Sequence, residues 1–456
     1  MASAKKIDTL VIGSGPAGQK AAIQAAKARR SVVVVEQLRE VGGACVQFGT
    51  IPSKALRERA LKRVSTGTQP TSINISTLLG ETEVLVRKHD RFMRAQLERN
   101  GIDVVHGRAR FVDAHRVAVH PPGEAERRYD CSSIVIACGS KPRHPDHVAV
   151  DHEHVYDSDS VLSIGYLPET MLVIGGGVIA CEYASIFALL GVRVTQLDRF
   201  PMPLGFLDPA LAVEYRRQFE GLGGRFIGPV EIAAVETEPY GGVVARLSGG
   251  ESVQAQKALC ALGRVSAIDG LDLAAAGLTT DERQLVPVDE NGRTAVAHIF
   301  AAGDVVGPPS LASSSMQQGR SAARALLGLE PEEGWQFTPS GIYGVPAIGS
   351  VGLSEIQARG SHETVLVGHA DYAEIARGLI DDSEQGFLRL IADAQGRLLG
   401  AHAIGGPAAE LVHLAQLALV HGARVDLFVT QIFNFPTFAE AYRVAALDIM
   451  AQRDRV

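Results

Sequence analysis

The feature that most constrains the fold of this chain is a segment that occurs twice. Residues 9–36 and 171–198 each read as a short apolar strand, a Gly-x-Gly turn, an amphipathic helix and a second β-branched strand that ends in an acidic residue. In both copies the acidic residue stands 23 positions after the first glycine. A strand, a glycine turn and a helix in this order are typical of a βαβ unit that binds a dinucleotide. The repeat therefore predicts an α/β fold with two Rossmann-like dinucleotide-binding domains.

The first copy carries a complete glycine fingerprint, in which Gly13, Gly15 and Gly18 follow the first strand and open the helix. The first glycine permits the tight turn, the second lets the backbone approach a pyrophosphate, and the third allows the helix to pack against the strand. The helix N-terminus then faces the phosphates. Glu36, at the end of the second strand, is placed to accept hydrogen bonds from an adenosine ribose.

The second copy has Gly175 and Gly177, with Ala180 in the third position, a replacement that the fingerprint tolerates. Its second strand ends in Asp198, which is followed by Arg199. An acid favours the ribose hydroxyls of NAD, whereas an arginine accommodates the 2′-phosphate of NADP. The two residues together are compatible with either nucleotide, and the alternative for Arg199 is a solvated surface position.

Composition excludes several classes of protein. The chain has 456 residues, of which 46% are hydrophobic and 21% charged, values typical of globular rather than disordered proteins. A net charge of −7 provides no basic face for nucleic acid, and no apolar run reaches the roughly 20 residues of a membrane helix. Five cysteines without a CxxC pair favour a reducing cytoplasm over a disulfide-stapled secreted fold. The histidines lack metal-ligand spacing, so we expect no metal.

Changes of pattern along the chain predict three domains, of which the first is discontinuous. Helical segments and then short strands follow the first glycine turn, and a second run of strands ends near Asp304. From about residue 336, short strands alternate with helices. We place the first dinucleotide-binding domain at residues 1–160 and 287–335, the second at 161–286, and a C-terminal α/β domain at 336–456.

Residues 42–56, GGACVQFGTIPSKAL, resemble the active-site helix of the flavin-dependent pyridine nucleotide–disulfide oxidoreductases. In that family the helix carries two redox cysteines separated by four residues. Cys45 matches the first cysteine, but Thr50 stands in the position of the second. The stretch from Gly49 to Leu56 resembles the form of this helix that is found in soluble pyridine nucleotide transhydrogenases.

The C-terminal segment also lacks a residue that the disulfide reductases need for thiol chemistry. Residues 434–440 read NFPTFAE, where those enzymes have a His-Pro-Thr motif whose histidine is the acid–base for the thiols. Phe435 stands where that histidine belongs, and a phenylalanine cannot transfer a proton. The glutamate four residues after the proline is kept as Glu440. One thiol and the acid–base are therefore both missing, while both glycine fingerprints remain.

The resemblance covers residues 7–450 and implies the residues of the site. Lys54 and Glu182 would pair beside flavin N5, where a positive group stabilises the reduced flavin, and they are the candidate catalytic residues. Cys45 is a third candidate, with simple packing as its alternative. The implied FAD-binding residues are Gly13, Gly15, Gly18, Glu36, Gly43, Cys45, Thr50, Lys54, Gly139, Gly303 and Asp304. The implied NAD(P)-binding residues are Gly175, Gly177, Ala180, Glu182, Asp198, Arg199 and Gly263.

The activity implied by the resemblance is reversible ping-pong hydride transfer between NADPH and NAD⁺ through FAD, of the si-specific transhydrogenase class. A first alternative is an NAD(P)H dehydrogenase that passes electrons to a quinone or another acceptor. A second, from a different class, is a non-catalytic FAD-binding redox sensor. The cofactor in each case is FAD, with NAD(H) and NADP(H) as substrates of the enzyme.

The family resemblance also implies the assembly of the protein. In that family the C-terminal domain forms a dimer and closes each site from the partner chain. We therefore expect a homodimer or a larger multiple of it, in the cytoplasm, with neither nucleic acid nor a membrane as a partner.

Overall fold

The computed structural model describes residues 4–69, 72–239, 241–330 and 336–454. Three large sheets organise these residues, one of seven strands and two of five strands. The structure is α/β, as the repeated segment predicts. In the described part of the chain, no helix combines the length and the apolar character needed to cross a bilayer.

The first glycine fingerprint lies in the seven-stranded sheet. The elements up to residue 142 are the strands β1 (Lys5–Ile12), β2 (Val32–Glu36), β3 (Asp103–His106), β4 (Arg108–Phe111), β5 (Arg116–His120), β6 (Arg127–Ile136) and β7 (Ser140–Pro142), and the helices α1 (Pro16–Lys27), α2 (Gly43–Gln47), α3 (Thr50–Ser65) and α4 (Ile75–Arg99). The sheet runs in the order β3-β2-β1-β6-β5-β4, and its β3-β2-β1-β6 part is parallel. Every residue of β2 is buried, as expected for a continuous apolar run in a parallel sheet that is covered on both faces.

The second fingerprint lies in a separate five-stranded parallel sheet of order β11-β10-β9-β15-β8. Its elements and their neighbours are β8 (Val155–Asp157), β9 (Thr170–Ile174), α5 (Val178–Leu189), β10 (Arg193–Leu197), α6 (Pro209–Gly221), β11 (Arg225–Ile227), β12 (Ile232–Thr237), β13 (Val243–Leu247), β14 (Ser252–Ala255), β15 (Lys257–Cys260) and β16 (Arg264–Ser266). The strands β12, β13 and β14 form an antiparallel sheet of their own, and β16 pairs with β7.

The chain then returns to the first sheet. The next elements are β17 (Ile299–Ala301), which pairs in parallel with β6, and α7 (Ala312–Leu326). Helices α1 and α7 approach so closely that a Cβ on Gly319 would lie 2.0 Å from the carbonyl oxygen of Ala17. The first sheet is thus built from two separate stretches of chain. The domain boundaries themselves stay predictions, and the one between residues 335 and 336 falls at a range outside the described residues.

The C-terminal sheet is antiparallel, in the order β18-β19-β22-β21-β20. Its elements are β18 (Ser340–Tyr343), β19 (Ala347–Gly352), α8 (Glu355–Ser361), β20 (Val365–Asp371), α9 (Ala376–Ile380), β21 (Phe387–Asp393), β22 (Leu398–Ile404), α10 (Ala408–Val420), α11 (Asp426–Thr430) and α12 (Glu440–Arg453). Leu388 and Leu390 on one face of β21 pack in a core with α10 and α12. Phe387, on the other face, joins a core that includes Leu211 and Tyr215 of α6. This face therefore joins the C-terminal sheet to the second dinucleotide unit.

Candidate functional site

A cavity of about 1500 Å³ lies where the three large units meet. Its wall includes Gly13 of the first fingerprint, Ile179 of α5 and Tyr343 of β18. Typical small-molecule pockets have volumes of about 300–1,000 Å³, so this cavity has room for an extended dinucleotide.

The first fingerprint has the backbone geometry that a phosphate turn requires. Gly13 adopts φ +104°, and a Cβ there would lie 2.3 Å from the carbonyl oxygen of Ala137. A Cβ on Gly18 would lie 2.0 Å from the carbonyl oxygen of Gly13, so the absence of a side chain at position 18 lets the helix lie this close to the turn. A Cβ on Gly15 would meet nothing within 4 Å, and no side chain caps the N-terminus of α1. The uncapped N–H groups of α1 are therefore available to an anion in the cavity.

Glu36 is held at the cavity wall by three hydrogen bonds. Its Oε2 accepts from the backbone N–H of Ser14 at 2.8 Å and from the Ser14 hydroxyl at 2.6 Å, and its Oε1 accepts from the N–H of Leu38 at 2.9 Å. A carboxylate has about four acceptor positions, so Oε1 keeps capacity for a ribose hydroxyl. Ser14 was not predicted as a site residue. The signal for it was its place between the first two glycines, where a short hydroxyl side chain can reach the strand-end acid.

The predicted pair of Lys54 and Glu182 is present and is partly buried. The Lys54 Nζ lies 2.6 Å from Oε2 of Glu182, whose side chain is only 4% exposed. Oε1 of Glu182 accepts a hydrogen bond from the backbone N–H of Tyr343 at 2.8 Å, so both carboxylate oxygens have partners. The Lys54 Nζ also lies 5.2 Å from the centre of the Tyr343 ring. Helices α3 and α5 and strand β18 thus converge on one ion pair at the cavity wall.

Cys45 and Thr50 also lie at the cavity wall. Burial raises the pKa of the Cys45 thiol, while a hydrogen bond from the Thr50 side chain and the charge of Lys54 act in the opposite direction. All five cysteines are free. Burial raises the pKa of Cys131, Cys138 and Cys181 further, to about 12. Cys45 therefore has a partner hydroxyl where a dithiol enzyme would have a second sulfur.

Asp304 is tied to the segment that links the two dinucleotide units. Its Oδ2 accepts a hydrogen bond from the Ser140 hydroxyl at 2.6 Å, and the Ser140 hydroxyl accepts one from Nε of Arg264 at 2.9 Å. Arg264 also forms an ion pair of 2.8 Å with Asp159. Ser140 and Arg264 were missed by sequence reasoning, because neither stands in a fingerprint and only the pairing of β7 with β16 brings them together.

The second fingerprint lies beside the cavity rather than in its wall. A Cβ on Gly175, which has φ +118°, would lie 2.6 Å from the carbonyl oxygen of Ala261, and Ala180 is fully buried. Gly177 precedes α5, whose N-terminus has no side-chain cap. Val178 and Ile179, at the start of α5, do reach the cavity wall. The second phosphate turn therefore adjoins the cavity.

The two residues after the second fingerprint's last strand differ in exposure. Asp198 is buried, and its Oδ1 accepts a hydrogen bond from the N–H of Arg199 at 2.9 Å. Burial raises the pKa of the Asp198 carboxyl, although the N–H groups and the charge beside it favour ionisation. Arg199 is exposed, with its guanidinium carbon 4.8 Å from the centre of the Phe200 ring. The charge of Arg199 is therefore exposed to solvent, next in sequence to the buried carboxyl group of Asp198.

The structure brings most of the predicted site residues to the one cavity. Those at its wall are Gly13, Gly15, Glu36, Gly43, Cys45, Thr50, Lys54, Gly139, Glu182, Gly263, Gly303 and Asp304. Those outside it are Gly18, Gly175, Gly177, Ala180, Asp198 and Arg199. Within the described ranges, no three His, Cys, Asp or Glu side chains converge as metal ligands.

The sequence matches two family descriptions that together span most of the chain. Residues 7–319 match the pyridine nucleotide-disulphide oxidoreductases, and residues 338–446 match the dimerisation domain of the same enzymes. The chain belongs to the pyridine nucleotide-disulphide oxidoreductase family. The family membership and the fold class predicted from the sequence are both confirmed.

Curated members of this family that resemble the chain are named soluble pyridine nucleotide transhydrogenases. One from Mycobacterium bovis (strain BCG / Pasteur 1173P2) is 39% identical, over 98% of this chain and 97% of its own length. Another, from Vibrio atlanticus, is 37% identical, over 98% of this chain and 99% of its own. The predicted resemblance to this group of family members is thereby confirmed.

Two solved structures share the fold of this chain. LpdA from Mycobacterium tuberculosis superposes with a TM-score of 0.89 at 24% identity, over 97% of this chain and 99% of its own. The HOCl-induced flavoprotein disulfide reductase RclA from Escherichia coli gives a TM-score of 0.89 at 26% identity, over 96% of this chain and 99% of its own. The family fold is thus present over the whole described chain.

We predict that Thr50→Val slows alkylation of Cys45 by iodoacetamide at pH 8. The thiolate is the reacting form, and the variant removes the hydroxyl that stabilises it, so the pKa of Cys45 rises further. The rate should fall by about threefold or more, because threefold corresponds to about 0.65 kcal/mol and a typical hydrogen bond contributes about 0.5–1.5 kcal/mol. Peptide mass spectrometry identifies the labelled cysteine.

The matched control is Thr66→Val, which removes an exposed hydroxyl at the far end of α3. It should leave the Cys45 labelling rate unchanged. An unchanged or faster rate in Thr50→Val would contradict the role given to the Thr50 hydroxyl.

Proposed function

We propose that the protein is an FAD-dependent pyridine nucleotide transhydrogenase that moves a hydride reversibly between NADPH and NAD⁺. The observation that carries this proposal is the partly buried Lys54–Glu182 pair at the wall of the large cavity, in a chain whose position 50 is threonine. The pair and the phosphate turns are kept, while the second thiol of a disulfide reductase is absent. The names of the curated relatives support the same activity.

The residues of the cavity fit FAD. The uncapped N-terminus of α1 offers N–H groups to a pyrophosphate, Glu36 keeps an acceptor for a ribose, and Asp304 offers a carboxylate to a polyhydroxylated chain. Gly43 approaches Gly15 so closely that a Cβ on Gly43 would lie 3.0 Å from the Cα of Gly15. Because both residues are glycines, no side chain projects into the cavity from this part of its wall. When bound, FAD supplies the centre that accepts a hydride from one nicotinamide and returns it to another.

Lys54 is the residue that we assign to the reacting end of the cofactor. Its ammonium lies at the cavity wall and is oriented by Glu182, whose other oxygen is fixed by the Tyr343 N–H. A preorganised positive charge stabilises negative charge on a group bound against it, without the reorganisation that water would need. Glu182 and Tyr343 are positioning residues in this assignment.

The proposal requires no proton donor from the protein for hydride passage. Burial raises the pKa of the Cys45 thiol, and Phe435 is 68% exposed at the position where the reductases carry their acid–base. We therefore assign Cys45 to the wall of the site rather than to the chemistry. The si-specific class of the reaction is part of the same proposal.

We assign both nucleotides to one site beside α5. Asp198 can accept from the ribose hydroxyls of NAD, and the solvent-facing guanidinium of Arg199 can meet a 2′-phosphate. NADPH and NAD⁺ would then occupy this site in turn, which is the ping-pong order. The predicted domain division at residues 160/161, 286/287 and 335/336 and a cytoplasmic location belong to this proposal as well.

The test is anaerobic turnover of purified holoenzyme with NADPH and thio-NAD⁺, in which the reduced thio-nucleotide and the flavin absorbance are followed together. We expect bleaching of the flavin by NADPH and steady turnover at about 1 s⁻¹ or faster, within the ordinary range for enzymes. Bleaching without turnover would favour a dehydrogenase for a quinone or another acceptor. Failure of NADPH and NADH to bleach the flavin would favour the redox sensor. Rapid reduction of lipoamide or glutathione disulfide would contradict the assignment of Cys45 to the wall.

We also propose that two copies of the chain associate through α10 and the segment that follows it. Leu417 is 62%, Val420 48%, Ile432 95% and Phe435 68% exposed. All four lie in the part of the chain that matches the family's dimerisation domain. Large apolar side chains this exposed, within a segment that matches a dimerisation domain, support an association surface there.

We predict that Leu417→Asp dissociates the dimer. Each of two copies would bury a charge in an apolar contact, so the dissociation constant should rise at least about a hundredfold, equivalent to roughly 2.7 kcal/mol. Sedimentation should give twice the 48.4 kDa chain mass for the unchanged protein and a single chain for the variant. The control is Val213→Asp on α6, which is 59% exposed and lies outside the dimerisation domain. A monomeric unchanged protein would contradict the proposal.

A further inference from the structure

A partly buried ion-pair cluster joins the second dinucleotide unit to the C-terminal sheet. It consists of Asp208, which precedes α6, Glu355 at the start of α8, and Arg389 on β21. The guanidinium of Arg389 contacts Oδ1 of Asp208 and Oε2 of Glu355, each at 2.5 Å. The Asp208 side chain is fully buried, and that of Arg389 is 13% exposed. We call these three residues the Asp208 cluster.

Asp208 also accepts hydrogen bonds from backbone N–H groups at the starts of two helices. Its Oδ1 accepts a hydrogen bond from the N–H of Ala210 at 3.1 Å, and its Oδ2 accepts one from the N–H of Glu355 at 3.1 Å. The N-termini of α6 and α8, which belong to different units, therefore meet at one carboxylate, where their dipoles favour a negative charge. Arg389 supplies the positive charge that pairs with the Asp208 carboxylate.

The Asp208 cluster holds the end of a loop that begins at the nucleotide-specifying residues. Residues 199–207 connect Asp198 to Asp208, so one end of this loop carries Arg199 and the other enters the cluster. In the middle, Leu204 is fully buried at φ +54°, a conformation that is unfavourable for a leucine, and its N–H donates to the carbonyl oxygen of Gly176 at 2.8 Å. A strained residue of this kind persists only where its surroundings fix it. The loop thus links the Asp208 cluster to the second phosphate turn.

Stability alone does not account for a buried ion pair at this place. Removing two charges from water costs free energy that their attraction often does not recover, and a well-packed apolar pair of similar volume is frequently as stable or more stable. Arg389 is itself held in a fixed strand, opposite His402, whose ring is buried between the Ser350 hydroxyl and the carbonyl oxygen of Leu353. The Asp208–Arg389 pair instead fixes the position of the second dinucleotide unit relative to the C-terminal sheet.

We propose that Arg389 is a positioning residue of the nucleotide site. Through Asp208 it anchors the loop 199–207 to the C-terminal sheet, so that Arg199 and the Gly176 turn are in place before a nucleotide binds. This inference rests on the proposed function for the identity of the nucleotides. Arg389 itself does not line the cavity, so we expect its effect on nucleotide affinity rather than on the chemical step.

The test compares Arg389→Met with the double variant Asp208→Asn/Arg389→Met in the full holoenzyme. The single variant leaves a buried carboxylate without its cation and can fail to fold. The double variant removes the charges of Asp208 and Arg389, leaves Glu355 paired with Arg359, and keeps one acceptor oxygen at position 208 in place of two. The matched control is Arg359→Met, which removes an exposed guanidinium from the same Glu355 carboxylate and leaves Asp208 untouched. Hydrogen exchange of peptides covering residues 199–207, calorimetric dissociation constants for NADPH and NAD⁺, and KM and kcat are measured for each.

We expect the double variant to keep its FAD and its melting temperature. The amides of the loop 199–207 should exchange at least about tenfold faster. NADPH should bind about tenfold more weakly, with kcat within about twofold, because displaced contacts cost affinity at this scale. Arg359→Met should match the unchanged protein. A folded double variant with unchanged loop exchange, or with faster exchange but unchanged nucleotide affinity, would overturn the proposal. Absence of transhydrogenase turnover in the unchanged protein would overturn only the proposed function, since exchange and binding still decide the role of Arg389.

Discussion

The interaction on which the rest of the site depends is the ion pair between Lys54 and Glu182. It joins α3 of the first unit to α5 of the second, and the Tyr343 N–H adds the C-terminal sheet to the same carboxylate. A nearly buried carboxylate needs such partners, because an uncompensated charge there would be costly. One pair therefore orients the units around the cavity and also presents an ammonium to whatever binds in it.

The departures from the disulfide reductases leave this framework intact. Thr50 stands where a second sulfur would otherwise stand, and its side chain acts to lower the pKa of the Cys45 thiol, which burial raises. Phe435 is exposed in a region rich in exposed apolar side chains, which suits contact with another chain rather than proton transfer. What remains includes two phosphate turns, a large cavity and the ammonium of Lys54, which Glu182 holds at its wall. These features suit the proposed hydride exchange between nucleotides, and position 50 offers a hydroxyl rather than the second thiol of a dithiol site.

The sequence was informative where function depends on local backbone geometry. The glycine turns, the strand-end acids and the interrupted first sheet follow from spacing and periodicity, because a strand, a tight turn and a helix N-terminus are local structures. The contacts of Ser140, Arg264 and Tyr343 could not be predicted in the same way, since they arise only when strands far apart in the sequence pair or pack. The Asp208 cluster is of this second kind, because its three residues belong to two units and share no motif.

In the proposed function, the cavity and the Lys54–Glu182 pair suffice for hydride exchange without a reactive thiol. The most direct measurement is anaerobic turnover of NADPH with thio-NAD⁺ by Cys45→Ser, beside the unchanged protein and at matched FAD content. We predict that the variant keeps its activity to within about tenfold, an allowance of about 1.4 kcal/mol in the barrier. A loss of about a thousandfold or more with FAD still bound, equivalent to roughly 4 kcal/mol, would contradict it and make the Cys45 thiol a catalytic group.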